Sequence, residues 1–280
     1  EIMRNFMLSG KLSPLTAGVL ASRGFTSVEE VNSFFAVENL SDPFLMKDID
    51  KVSETINEAI ECGSKICIYG DYDCDGIVST VILYTYLLET GADVSYYIPE
   101  REEGYGLNEN AVRKIAEDGV ELIITVDNGI SAINEAEFIY ELGMKLVITD
   151  HHQPGEIIPR AEAVVDPHQS DCFSPFKKLC GAGVALKLVA ALDGGDFTLA
   201  LEQFGDLAAI ATIADVVELT GENRFIVEKG LPLIENTDRP GLLALKKAAG
   251  IDGKPINSQS AAFMIAPRIN SSGRFGSPKT

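Results

Sequence analysis

With 280 residues, 46% hydrophobic and 23% charged, the chain exceeds ordinary single-domain size and has the apolar content to bury a core, which excludes a disordered chain. No uninterrupted apolar run reaches the ~20 residues of a membrane-spanning helix, and the opening EIMRNFMLSGKL lacks an apolar signal core, so a soluble, unexported, cytoplasmic protein without a membrane partner is expected. Lys plus Arg is 23 against 42 for Asp plus Glu, a net charge of −19, which taken alone disfavours a nucleic-acid binder because phosphate affinity comes from basic surface.

Residues 1–62 read as a helical segment: Ser13-Pro14 suits a helix start, Thr26-Ser27 before Glu29-Glu30 suits a capped one, and Val52, Ile56 and Ile60 are spaced as one helical face. From 63 to 180 short β-rich runs alternate with helical stretches. KICIYG (65–70), DVSYYI (93–98), ELIITV (121–126), KLVIT (145–149) and AVVD (163–166) predict strands, and 77–90, 108–117 and 131–142 predict helices, the last with Ser131 as its N-cap. Strand and helix alternating in this way predict an α/β fold with a mostly parallel, doubly wound sheet. The stretch 181–280 is predominantly helical and is expected to pack at one edge of that sheet. Five cysteines, an odd number with no C-x-x-C pair, exclude a disulfide framework and a zinc knuckle and fit a reducing compartment.

The first strand runs into Tyr69-Gly70-Asp71-Tyr72-Asp73-Cys74-Asp75-Gly76, with acids at every second position before a new helix. One Asp would serve as a helix cap. Three are surplus for that role, and in an open α/β sheet ligands bind beyond the carboxyl ends of the strands, so the turn is read as aiming oxygens at a hard cation. Asp127-Asn128-Gly129 repeats the arrangement after the third strand, although such a tripeptide is by itself an ordinary turn. The fourth strand ends in Asp150-His151-His152, holding two of the three histidines. Imidazole beside carboxylates suits manganese, magnesium, iron or zinc, with Asp150 orienting one ring. Asp166-Pro167-His168 closes the fifth strand, where a turn explains the residues and His168 is a secondary candidate for a substrate contact. Asp215 interrupts an apolar helical segment and either caps a helix or reaches the metals.

YGDYDCDG, TVDNGIS, VITDHHQPGE, VVDPHQ and ATIADVVEL, in this order, resemble the successive motifs of the DHH phosphoesterases. GDYDCDG with IPEREEGYGL, LCGAGVALKL and APRINSSGR resembles the RecJ exonuclease branch in particular. The resemblance covers almost the whole chain. It implies two divalent cations, manganese or magnesium: Asp127 would bridge them, Asp73 would hold one, Asp75, His151 and Asp215 would hold the other, and Asp71 would be an accessory acid. His152 would face the scissile phosphate, and Arg101, Arg268 and Arg274 would contact the DNA backbone or its 5′ phosphate. Tyr69 departs from superfamily members that place a metal-binding histidine there.

The implied activity is 5′ to 3′ hydrolysis of single-stranded DNA in repair and recombination. Candidate partners are a single-strand-binding protein or a helicase, and further C-terminal domains of the same chain. Three other readings stand beside it: a phosphoesterase of the same family acting on small molecules or short oligonucleotides, a non-catalytic replication scaffold, and a metal-storage or purely structural protein, which the arginines near the expected phosphate path count against.

Overall fold

A computed structural model of the chain describes residues 2–8, 11–35 and 39–275. Helices α1 (Ile2–Leu8), α2 (Pro14–Ser22) and α3 (Val28–Phe35) bury Phe6, Ala17, Leu20 and Val31 in a small core of their own. Ser13 caps α2 by accepting from the Thr16 amide at 3.1 Å, and Glu30 reaches back to the Thr26 amide at 2.7 Å, as the capping residues predict. A buried polar knot ties the following segment to the rest: Lys187 Nζ donates to the Ser41 hydroxyl at 2.8 Å and pairs with Glu222 at 2.8 Å.

Beyond α4 (Ile49–Glu61) the strands follow the apolar runs of the sequence: β1 (Ile66–Tyr69), β2 (Val94–Tyr97), β3 (Leu122–Val126), β4 (Lys145–Thr149) and β5 (Ala163–Val165). They form one sheet in the order β2-β1-β3-β4-β5, and every pair is parallel. Crossovers through α5 (Cys74–Glu89), α6 (Glu109–Glu117) and α7 (Ile133–Glu141) cover the two faces, so the strands are apolar on both sides. The strand period of two divides the core. Ile66 and Ile68 join the cluster that includes α4, α5 and α8 (Gly181–Leu192), whereas Cys67 and Tyr69 face α6 and α7. The direction of winding reverses between β1 and β3, the point at which an open α/β sheet leaves a crevice beyond its carboxyl ends.

Two local expectations are corrected. Ser131 does not cap α7: a tight turn, in which the Ala132 amide bonds to the Gly129 carbonyl at 3.0 Å, delays the helix to Ile133. The helical part does not sit at a sheet edge either. Residues Gly181 to Ala191 of α8 are all buried, so that helix needs cover on every side: it lies on a sheet face beside α5, and α9 (Phe197–Ala214) covers it in turn. By length and composition α9 could cross a membrane, yet 61% of it is buried inside the fold.

The pair formed by α9 and α10 (Gly221–Glu235) is held close by glycines. A methyl on Gly230 would stand 2.1 Å from the Gly205 carbonyl oxygen. After α11 (Pro240–Ala248) come a short α12 (Ser258–Ser260), a wide π turn (Ala261–Ile265) and α13 (Ala266–Phe275), which returns to α5 and α9.

Candidate metal centre

Glycines let the acidic turn fold onto the start of α5. A Cβ on Gly76 would stand 2.6 Å from the Asp71 backbone nitrogen, and one on Gly70 would stand 2.0 Å from Thr80 Oγ1. Asp73 is the N-cap of α5 and accepts from the Gly76 amide at 2.9 Å. Asp71 is 1% exposed, and neither of its carboxylate oxygens has a hydrogen-bond partner. Burial pushes its carboxyl up to about 7. Asp75, also buried, accepts from the Gly181 amide at 2.6 Å and the Ala182 amide at 2.9 Å, so its charge sits on the positive end of α8.

The end of β3 is pinned to the end of β1 by Asn128, whose side-chain amide donates to the Val126 carbonyl at 2.9 Å and the Tyr69 carbonyl at 3.2 Å. Asp127 just before it adopts φ 62, a left-handed conformation uncommon outside glycine that turns its side chain out of the strand path. Burial raises its carboxyl well above the ordinary range, and the charges of Asp75 and Asp73 add to the rise.

Beyond β4, Asp150 is buried and saturated. It accepts from the Ile130 amide at 2.9 Å, the His151 amide at 2.7 Å and the His152 ring nitrogen Nδ1 at 2.7 Å. The ring it orients is therefore that of His152. That bond raises the His152 pKa above 6.5 and favours a cationic, half-exposed imidazole. Burial holds His151 below its ordinary value, leaving it neutral with an electron pair free for a cation.

The His151 Nε2 lies 3.0 Å from Asp127 Oδ1, 3.7 Å from Asp75 Oδ2 and 3.9 Å from Asp215 Oδ2. Asp127 Oδ1 accepts no hydrogen bond despite that approach, which suits two ligands around a common cation better than a donor and its acceptor. Three overlapping groups emerge, Asp71 with Asp73 and Asp127, Asp75 with His151 and Asp215, and Asp127 with His151 and His152; within each, one ligand atom per residue lies within 4.8 Å of the others. Asp127 belongs to two of these groups, and its Oδ1 meets His151 of the remaining one at 3.0 Å. Buried carboxylate oxygens without donors, together with one neutral imidazole, fit hard divalent cations such as manganese or magnesium.

Asp215 does not begin a helix. It ends α9, and its carboxylate joins the cluster. Tyr69 points to the opposite face of the sheet, where its hydroxyl donates to the Gly106 carbonyl at 3.0 Å and anchors the loop after β2. That loop carries a residue which the sequence reading passed over. The Tyr105 hydroxyl donates to the Asp127 carbonyl at 3.0 Å and lies 3.2 Å from His152 Nε2, and its only signal in the sequence was the flanking pair of glycines. Arg101 lies over the Tyr72 ring, 5.3 Å from its centroid. Arg268 is exposed on α13 and donates to the Met264 carbonyl at 2.6 Å, while the Arg274 side chain falls outside the described residues. His168 donates its amide to Asp166 at 2.7 Å in a turn, and its imidazole belongs to none of these ligand groups.

The cluster sets a pH dependence for the metal-free protein. Asp71, Asp166 and Asp215, all with carboxyls pushed by burial up to about 7 from an ordinary 3.8, keep protons in the folded chain that they lose in the unfolded one. Stability therefore falls as pH rises between these two values and levels off above them. His152, raised by Asp150, adds to the fall above 6.5, and His151, lowered by burial, opposes it below 6.5. The melting temperature of the chelator-treated protein is expected to drop between about pH 5 and pH 7.5, and saturating Mn2+ is expected to cancel the drop by binding the ionised carboxylates. A metal-free melting temperature that climbed across this window would contradict the burial of these acids together.

The N-terminal domain of the DHH family matches residues 65–213. A single-stranded-DNA-specific exonuclease RecJ from Bacillus subtilis (strain 168) is 45% identical over 267 residues, which are 94% of this chain and 34% of that protein. A RecJ from Thermus thermophilus solved in complex with Mn2+ superposes with a TM-score of 0.79 at 34% identity, covering 99% of this chain and 40% of that one. The Thermus thermophilus RecJ in complex with Mg2+ gives a TM-score of 0.68 at 30% identity, covering 99% and 36%. This chain thus spans between a third and two fifths of the length of these proteins.

Proposed function

Because this chain belongs to the DHH family, we propose that it is the catalytic part of a metal-dependent exonuclease that degrades single-stranded DNA from the 5′ end. The observation that carries the reading is the cluster at the switch point of the sheet, in which Asp127 groups with Asp71 and Asp73 and lies 3.0 Å from His151, itself grouped with Asp75 and Asp215, on a chain 45% identical to a single-stranded-DNA-specific exonuclease. Asp73 and Asp127, with Asp71 beside them, would hold one divalent cation; Asp75, His151 and Asp215, again with Asp127, would hold the other. When bound, manganese or magnesium supplies a water of lowered pKa and positive charge for the phosphate oxygens.

The remaining work falls to the protein. The bond from His152 to Asp150 favours its cationic form, and His152 stands at the exposed side of the cluster, where it can pair with the scissile phosphate. Tyr105 holds the Asp127 backbone and borders His152, which fixes the spacing between cation ligands and phosphate contact. Arg101, steadied by Tyr72, together with Arg268 and Arg274, supplies guanidinium groups for the DNA backbone or its 5′ phosphate. Carboxylates paired with two divalent cations would offset part of the net charge of −19 and so soften the objection it raises. The rest of a longer chain, residues 181–280 leading towards it, and a single-strand-binding protein or helicase would complete the substrate path.

The test is digestion by the full-length protein with Mn2+ of a 5′-labelled single strand, the same strand in a duplex, a dinucleotide and pyrophosphate. Rapid shortening of the single strand, with the duplex spared and the small substrates poor, is expected. Faster turnover of the dinucleotide or pyrophosphate would instead identify a small-molecule phosphoesterase. DNA binding without hydrolysis of any substrate would identify a scaffold.

A further inference from the structure

The first amides of a helix have no partner inside it. At the start of α5 the Asp73 side chain serves the Gly76 amide, which leaves the Cys74 amide to be satisfied from elsewhere. It donates to Asn270 Oδ1 at 2.7 Å, across 196 residues of sequence. We infer that Asn270 is a positioning residue for the metal-binding turn, an inference that rests on the reading above. The amide it holds belongs to the peptide joining Asp73 to Cys74, so the bond fixes the plane from which Asp73 projects and the first turn that carries Asp75.

The preceding π turn sets which way Asn270 points. A wide turn adds about one residue to the helix and so rotates everything after it by roughly 100°. Ala261, Ile265 and Ala266 are buried and lock that phase, with the π turn and α13 both packed on α9. The helix that carries Arg268 is thereby joined to the turn that carries Asp71, Asp73 and Asp75, so a phosphate contact and the cation ligands share one rigid connection.

Calorimetric titration of the full-length protein with Mn2+ tests this. Asn270→Ala is expected to weaken binding by about 10- to 100-fold, the range for groups that orient metal ligands. Asn270→Asp, which still accepts from the amide, is expected to restore most of the loss. Cys74→Pro removes the same bond from the donor side and should leave the helix intact: proline suits a first helical position, and Asp73, at φ −88 and ψ 179, already has the extended backbone that precedes proline. If the bond is the route, the double variant binds no more weakly than either single one.

Parent-like Mn2+ affinity in Asn270→Ala would overturn the inference, as would losses that multiply in the double variant. A lowered metal-free melting temperature with unchanged Mn2+ affinity would also overturn it, since that is the mark of a merely structural bond. A parent protein that binds Mn2+ and leaves single strands intact would sink the exonuclease reading alone.

Discussion

Asp127→Ala is expected to abolish Mn2+-dependent digestion of single strands, with a loss of at least about 100-fold, the upper end of what removing a mere supporting group costs. Asp127 approaches both acid groups, 3.0 Å from His151 and within 4.8 Å of ligand atoms on Asp71 and Asp73. Its removal would uncouple both proposed cation sites at once. Asp127→Asn separates chemistry from folding. Burial already disfavours the charged carboxylate in the metal-free protein, so a neutral amide of the same shape should melt at the parent's temperature or above it without metal, and should lose the rise that Mn2+ gives the parent. Activity within a few-fold of the parent in either variant would remove Asp127 from the mechanism.

Gly181→Ala is expected to cost nearly as much through a single methyl group. Its Cβ would stand 2.6 Å from the Asp127 Cβ and 2.8 Å from Asp127 Oδ1, while the Gly181 amide holds Asp75 at 2.6 Å. Space is the obstacle, since Gly181 begins α8 without a left-handed backbone. Relief requires either that Asp127 swing away or that α8 retreat and take the Asp75 anchor with it. Displacement of a catalytic group by about 1 Å can cost roughly 100-fold in rate, and overpacking adds about 1–3 kcal/mol of destabilisation. Steady-state rates with Mn2+ beside thermal melts check this, and a variant as fast and as stable as the parent would refute the packing.

Much of the sheet was legible because strands buried on both faces leave unbroken apolar runs, and ICIY, LIITV and KLVIT stand out against polar surroundings. The acids at their ends were legible for the converse reason: an Asp beyond such a run is costly unless something uses it. Directions were not legible. A helix apolar all round, as α8 is, gives no sign of which side meets the sheet, so its place on a face came only with the fold. Likewise nothing in the letters says that Asp150 serves His152 rather than His151, or that Tyr69 turns away from the acids to hold Gly106. The Asp75 anchor spans 106 residues and the Asn270 bond 196, beyond the reach of any local pattern.

Those long separations also order events in time. Contacts between remote segments form late, because the intervening chain must first lose its freedom. A polypeptide emerging amino end first has its acidic turn outside the ribosome well before Gly181 and Asn270 arrive to secure it. Competence to hold cations would therefore mature only once Asn270 has emerged, after the sheet beneath it has taken shape.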